Sequence, residues 1–137
     1  MGAHSRKKGS EFEREVARDL CLLTGVSFKR DIEQVREDGL GDLLPDNPAW
    51  PFVIECKRYE AGTGCKPAWM AQVAIAAAKA GKRPAVVFRF DRQDTRVCLP
   101  LTAIWAASGA EIRSDEWATI TLAAFATVAA ELMQVAA

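Results

Sequence analysis

Residues 52–57, with the sequence FVIECK, limit the range of folds more than any other segment of this 137-residue chain. Aromatic and β-branched residues dominate its first part, which predicts a β-strand over residues 52–56. Side chains alternate between the faces of a strand, so Glu55 and Lys57 point one way and Cys56 the other. An acid and an amine beside an apolar strand are costly to bury, and we expect a divalent metal ion with a bound water to use them.

A second carboxylate comes from Asp42, which precedes the turn-forming sequence PDNP at residues 45–48. If the chain reverses near residues 47–49, Asp42 and Glu55 lie opposite each other in an antiparallel pair, with Cβ atoms ~5 Å apart. Two carboxylates this close repel each other unless a proton or a cation lies between them. The pair therefore predicts a site for Mg²⁺, which prefers oxygen ligands and keeps several waters.

Asp46 is the alternative carboxylate, because Pro45 and Asp46 followed by Glu55 and Lys57 spell the same string of residue types. An Asp before Asn-Pro is a favoured turn starter, and a residue at a hairpin tip lies several positions from the level of Glu55. We therefore prefer Asp42 as the metal ligand and assign Asp46 to the turn.

Residues 10–23 predict an amphipathic helix, with Ser10 as N-cap and Glu13 at the capping-box position. Its apolar residues form one arc at about 100° per residue: Phe12, Val16, Leu20 and Leu23. Four other charged residues lie on the opposite side: Glu11, Arg14, Glu15 and Arg18. Glu13 lies at the edge of the arc, so we expect it to face the body of the protein, although a solvated capping-box glutamate fits the same pattern.

The rest of the sequence predicts further elements of one α/β domain over residues 1–137, with residues 1–8 as a flexible basic arm. Pro67 begins a helix that Gly81 ends, because proline suits the first turn of a helix and glycine its end. Two strands, a short helix capped by Thr102, another strand and a final helix follow at residues 84–90, 96–100, 102–105, 117–121 and 122–132.

Charge bears on function, because 18 Lys and Arg balance 18 Asp and Glu and the formal net charge is zero. Nucleic-acid-binding domains are often strongly basic, which counts against such a function. A metal site would occupy several acids, however, and basic residues cluster locally. We expect DNA contacts from Arg6, Lys7, Lys8, Lys29, Arg30 and Arg58. A solubilising tail and plain surface patches fit the same residues.

Other classes of function lack the residues that they need. The single histidine, His4, lies near the chain start, which excludes histidine-based catalysis and argues against a zinc site. The four cysteines form no CxxC pair, and without a signal peptide this predicts a reduced, cytoplasmic protein. Glu131 and Gln134 interrupt the apolar last helix, so we expect no membrane span.

Three motifs together resemble those of the PD-(D/E)xK nuclease superfamily, and within it the archaeal-type Holliday-junction resolvases and their phage-encoded relatives. The similar segments are residues 8–15 (KGSEFERE), a glycine-then-Glu-Arg opening, residues 41–43 (GDL), a metal-binding aspartate, and residues 54–57 (IECK), an E-x-K strand. Their order and spacing agree. The resemblance implies a restriction-endonuclease-like core, in which helices flank a central mixed β-sheet in the order αβββαβ.

The resemblance also implies roles for single residues at the centre of the site. Asp42 and Glu55, with the backbone carbonyl of Cys56, would hold Mg²⁺ or Mn²⁺. Lys57 would be the catalytic lysine, which orients or activates the attacking water.

Three residues on the helices would support this centre. Glu13 would contact the metal or its water, and Arg14 would contact a phosphate at the rim. Some members place a glutamine near the metal-bound water, a role that Gln72 would take unless it is a plain surface residue. Members of the family usually act as homodimers on branched DNA, which is the partner that the resemblance implies.

The sequence therefore predicts a Mg²⁺-dependent DNA endonuclease that leaves a 5′ phosphate and prefers branched DNA, since no base-reading module is evident. A restriction-like or phage DNA-processing nuclease is the alternative within this class. Two other classes stay open. One is a catalytically silent nucleic-acid-binding or assembly module of the same fold, and the other is a protein-interaction domain in which Glu55 and Lys57 form a structural ion pair.

Overall fold

The structure is a computed structural model that describes residues 3–31 and 41–136, with side chains over 7–31 and 41–135. The helices are α1 (Ala3–Thr24), α2 (Pro67–Ala80), α3 (Leu101–Ala107) and α4 (Leu122–Ala136). The strands are β1 (Phe28–Arg30), β2 (Leu43–Pro45), β3 (Phe52–Tyr59), β4 (Arg83–Phe90), β5 (Arg96–Pro100) and β6 (Trp117–Thr121). They form one sheet in the order β1-β2-β3-β4-β5-β6, in which β3 and β4 are parallel and the other pairs antiparallel.

Helices cover both faces of this sheet, which explains why the central strands are apolar over consecutive positions. Phe52 and Ile54 of β3 belong to the cluster that α1 and α4 help to form, together with Phe125. Val53 points the other way, into a cluster with Val73 of α2. The two faces of β3 therefore alternate as predicted, and the apolar half of the strand anchors the charged half that follows.

Helix α1 starts earlier than predicted. It begins at Ala3 rather than at Ser10, so Ser10 is not its N-cap and residues 3–8 are helical rather than a flexible arm. Alanine, arginine and lysine before Gly9 favour helix, which accounts for the longer element. The predicted apolar arc is buried except for Leu23, which is 50% exposed because it lies in the last turn.

The other predicted boundaries are close to those observed. Pro67 occupies the first turn of α2, and Gly81 ends the helix in the left-handed conformation. Helix α3 starts at Leu101 with Pro100 as N-cap, so the prediction of Thr102 as cap was wrong by two residues. No helix in the described part of the chain has the length and apolarity to cross a bilayer.

Candidate metal-dependent active site

The hairpin between β2 and β3 brings Asp42 next to Glu55. Leu43 pairs with Ile54, which confirms the predicted register, and the backbone N–H of Asp42 donates to the carbonyl oxygen of Ile54 at 2.8 Å. The N–H of Cys56 in turn donates to Oδ2 of Asp42 at 2.7 Å. Main chain and side chain of Asp42 are therefore both fixed against β3.

Gly41 permits this close approach of the chain to β3. Gly41 has φ +86°, a conformation that L side chains rarely adopt, and a Cβ on it would lie 2.6 Å from the carbonyl oxygen of Ile54. The same atom would lie 2.9 Å from Cγ1 of Val53. Any side chain at residue 41 would thus push Asp42 away from the strand.

The turn places Asp46 elsewhere. The N–H of Ala49 donates to Oδ1 of Asn47 at 2.9 Å, as expected for a turn at residues 47–49. Asp46 Oδ1 accepts the N–H of Ser27 at 3.1 Å, and its own N–H donates to the Ser27 carbonyl at 2.9 Å. Asp46 therefore ties the hairpin to the start of β1, whereas Asp42 is the carboxylate beside Glu55.

Burial makes the carboxylate pair unfavourable when both groups are ionised. Glu55 is 9% exposed, and desolvation together with the charge of Asp42 raises its pKa to about 8. Desolvation also raises the pKa of Asp42, although its hydrogen bonds from the Cys56 N–H and from Glu55 oppose this rise. One proton shared between the two side chains satisfies the pair, and a divalent cation would supply the same compensation with more charge.

The donors present suit Mg²⁺ or Mn²⁺ rather than a closed metal cage. Across residues 3–31 and 41–136, no three His, Cys, Asp or Glu side chains converge as a complete ligand set. Mg²⁺ does not need one, because one or two carboxylates usually hold it and water fills the remaining positions. Asp42 and Glu55 therefore fit an ion of this kind.

Glu13 of α1 faces the body of the protein, as predicted. Its Oε1 accepts a hydrogen bond from Nε of Arg30 at 2.9 Å, while a second guanidinium nitrogen of Arg30 donates to Oγ of Ser10 at 2.9 Å. Burial raises the pKa of Glu13, and the nearby charge of Asp42 adds to the rise, despite the opposing bond from Arg30. Arg30, predicted as a DNA contact, is thus paired with an acid beside the site.

Glu15 was expected on the outer side of α1, and this was wrong. It pairs with Arg89 of β4, whose guanidinium lies 5.0 Å from the ring centroid of Phe12. The guanidinium of Arg89 therefore contacts two residues of α1, the Glu15 carboxylate and the Phe12 ring.

The predicted catalytic lysine contacts the predicted glutamine. Nζ of Lys57 donates to Oε1 of Gln72 at 3.0 Å, which joins β3 to the exposed side of α2. Within the described residues no ion pair joins Lys57 to Glu55. This counts against the alternative in which these two residues form a structural ion pair. Gln72 instead holds the ammonium group beside the carboxylate pair.

The remaining basic residues divide into two groups. Lys7, Arg14 and Lys29 are exposed, whereas the side chain of Arg6 lies outside the description. Lys8 and Arg58 both pair with Asp91, at 3.1 and 2.6 Å. The proposed DNA contacts from Lys8 and Arg58 therefore compete with an ion pair that the sequence did not reveal, because Asp91 is distant along the chain.

One residue near the site was missed. Tyr59 follows Glu55 and Lys57 at intervals of two and so lies on the same face of β3, where it is 38% exposed. The period of a strand was signal enough to find it, had the strand been predicted to extend beyond residue 56.

The carboxylate pair predicts how stability depends on pH in the presence of a chelator. The folded-state pKa of Glu55, about 8, exceeds its ordinary value of 4.5, so folding favours the protonated group. This stabilisation is complete below 4.5 and is lost as the pH rises through 8. We expect Glu55→Gln, which cannot ionise, to melt several degrees above the wild type at about pH 9, since ~1 kcal/mol shifts Tm by ~4 °C.

Thermal unfolding of both proteins by circular dichroism across this range checks the expectation. The difference in Tm should shrink towards about pH 5, where the wild-type carboxyl is protonated in the folded state. A difference that stays constant with pH would contradict a raised pKa at Glu55.

Comparison with known proteins agrees with this geometry. A model of the family described as "Phage putative PDDEXK endonuclease" matches residues 4–134. Among solved structures, the chain is similar to Archaeoglobus fulgidus Hjc, a Holliday junction resolvase from an archaeal hyperthermophile. The TM-score is 0.51 at 21% sequence identity, over 68% of this chain and 76% of that chain. At this identity the likeness concerns the fold, and it confirms the predicted restriction-endonuclease-like α/β core. No curated protein matches the sequence.

Proposed function

The chain belongs to the phage PD-(D/E)xK endonuclease family, and from this membership we propose that it is a metal-dependent DNA endonuclease that hydrolyses phosphodiester bonds. The observation that carries the proposal is the buried, mutually hydrogen-bonded pair of Asp42 and Glu55 next to Lys57. A buried acid pair destabilises a small domain, so its presence beside an amine and near the surface indicates use rather than packing.

Asp42 and Glu55, with the backbone carbonyl of Cys56, are the groups that would hold Mg²⁺ or Mn²⁺. When bound, such an ion supplies positive charge to the phosphate and lowers the pKa of water. Hydrogen bonds hold both the main chain and the carboxylate of Asp42 in place, so little reorganisation is needed when the ion binds.

Lys57 is the group that we assign to the attacking water. Its ammonium is held by the Gln72 amide oxygen, which leaves two of its three N–H donors for water and phosphate. Gln72 acts as a positioning residue for this amine. Glu13 is paired with Arg30 and is not one of the proposed metal ligands, so we assign it a contact with the ion through a water molecule.

Exposed cations next to the Glu13–Arg30 pair suit a phosphate backbone. Arg14 is exposed one position after Glu13, and Lys29 is exposed next to Arg30. We propose both as phosphate contacts, together with Lys7, which is exposed on the same helix as Arg14. Their number is small, which agrees with the zero net charge and implies modest affinity with a shallow dependence on salt.

Branched DNA is the substrate class that we propose. The described elements all belong to one sheet with its covering helices, and none stands apart as a base-reading module. Recognition by shape fits such a chain, and the motif resemblance points to four-way junctions cut by a homodimer. Restriction-like or phage-processing cleavage of duplex DNA is the alternative outcome.

The test is cleavage of an end-labelled four-way junction, a duplex and a single strand of matched sequence, each with Mg²⁺, Mn²⁺ or chelator. We expect metal-dependent cleavage of the junction near its branch point, with 5′-phosphate products. Equal cleavage of all three substrates would contradict junction selectivity, and no cleavage in either metal would contradict an active nuclease. Light scattering after size-exclusion chromatography tests whether the protein is a homodimer. A monomeric mass at the concentrations used for cleavage would contradict this proposal.

A further inference from the structure

An aromatic and cationic cluster lies beside the candidate active site. The rings of Tyr59 and Trp69 stack, with centroids 5.3 Å apart and planes inclined by 12°. Nζ of Lys66 lies 5.5 Å from both ring centroids. We name these three residues the Tyr59 cluster. None of them has a part in holding a cation or in positioning Lys57.

The Tyr59 cluster forms a second contact between β3 and α2, next to the contact between Lys57 and Gln72. Tyr59 follows Lys57 by two residues on β3, and Trp69 precedes Gln72 by three residues on α2, so each pair shares a face. The strand and the helix therefore meet twice, once at Lys57 and Gln72 and once at Tyr59 and Trp69. At ~3.3 Å per residue, Tyr59 lies ~13 Å along the strand from Glu55.

The two rings differ in what they expose. Trp69 is 6% exposed and packs on the buried rings of Phe88 and Phe90, so it supports the cluster from within. Tyr59 is 38% exposed and lies over Trp69, so part of its ring faces solvent. A partly exposed aromatic ring next to a cation is an arrangement that suits a planar ligand with a negative charge.

The loop that carries Lys66 is fixed rather than loose. Gly62 lies so close to the Phe90 ring that a Cβ on residue 62 would collide with it. The N–H of Asp91 also donates to the carbonyl oxygen of Glu60 at 3.1 Å. These contacts fix the start of the loop, and at its end the carbonyl oxygen of Lys66 accepts the N–H of Trp69 at 3.0 Å.

Resting on the proposed nuclease function, we propose that the Tyr59 cluster is a subsite for one unpaired nucleotide near the scissile phosphate. The base would stack on the exposed part of the Tyr59 ring, and the phosphate of that nucleotide would contact the Lys66 ammonium. Stacking on an aromatic side chain accepts every base, because every base has a π-face. A base inside a duplex already stacks on its neighbours, so the subsite selects DNA that offers an unpaired position.

Binding is measured in Ca²⁺ in place of Mg²⁺, so that stacking is observed separately from cleavage. The probe is a duplex with a one-nucleotide bulge of 2-aminopurine, whose fluorescence is quenched when the base stacks, and the reference is the fully paired duplex. We expect quenching with the wild type and with Tyr59→Phe, which keeps the ring. Tyr59→Leu should abolish the quenching and weaken binding of the bulged duplex about ten-fold, with the paired duplex unaffected.

Charge is tested with matched variants. Lys66→Gln should reduce the salt dependence of bulged-duplex binding by about one released counterion, whereas Arg113→Gln, an exposed charge away from β3 and α2, should leave it unchanged. Thermal unfolding checks that each variant folds. If Tyr59→Leu does not fold, the wild-type quenching and the salt dependence of Lys66→Gln test the subsite. Binding of bulged DNA without quenching in the wild type, or equal loss for bulged and paired DNA in Tyr59→Leu, would overturn the subsite. Failure of the wild type to bind any DNA would instead overturn the proposed function.

Discussion

Asp42→Asn and Glu55→Gln are each expected to lower the rate of DNA cleavage about a thousand-fold or more. Each substitution removes one of the two charged oxygen donors that would hold the cation, and metal stabilisation of transition-state charge is worth several kcal/mol. The folded structure should survive, because both replacements keep the shape of the side chain. Single-turnover cleavage of the labelled junction at saturating Mg²⁺ measures the effect, with circular dichroism as a check on folding.

Asp46→Asn is the matched control, since it makes the same chemical change at the other carboxylate of the hairpin. Asparagine retains the Oδ1 acceptor that Asp46 offers to the Ser27 N–H, so the turn should be preserved. We expect cleavage within about two-fold of the wild type, because Asp46 lies away from Glu55. Loss of activity in Asp46→Asn, with activity retained in Asp42→Asn, would exchange the roles of the two carboxylates.

Gly41→Ala is expected to destabilise the protein by ~2–5 kcal/mol and to reduce metal-dependent cleavage strongly. A Cβ at this position meets the Ile54 carbonyl at 2.6 Å and also carries the strain of φ +86°. Relief of the clash moves Asp42, which follows directly in the chain, away from the Cys56 N–H. Urea denaturation and the same cleavage assay measure the two effects.

Gly25→Ala separates strain from collision. Gly25 also has a positive φ, of +79°, but a Cβ there would meet nothing within 4 Å. We expect a loss of only ~1 kcal/mol and no change in cleavage, because this glycine ends α1 far from the carboxylate pair. If both alanine variants lost similar stability and both cleaved normally, the close approach at Gly41 would have no role in placing Asp42.

Much of the candidate site could be predicted because its signals are local. The apolar run at residues 52–56 and the turn sequence PDNP lie close together in the chain, so strand, reversal and register follow from neighbouring residues. The same short range explains why Asp42 was preferred to Asp46 and why the ends of α2 at Pro67 and Gly81 were found. Helix α1 was predicted too short, since helix-forming residues before Gly9 extend it without any capping signal.

The pairing of charged residues was not predictable in the same way. Glu15 meets Arg89, and Asp91 meets both Lys8 and Arg58, over separations of many residues. Surface ion pairs of this kind contribute little energy, so they leave almost no pattern in composition or periodicity. Which basic residues remain available for DNA is therefore a consequence of packing.

The order of residues is enough to establish that an acid and an amine share one strand face and that a second acid returns to them across a tight turn. These facts depend on alternation and turn chemistry, which act over a few residues. Packing of α1 and α2 against opposite faces of the sheet determines the rest: that Arg30 holds Glu13, that Gln72 holds Lys57, and that burial raises the pKa of Glu55 to about 8. The reason is physical, because desolvation and long-range contacts exist only once the elements have come together.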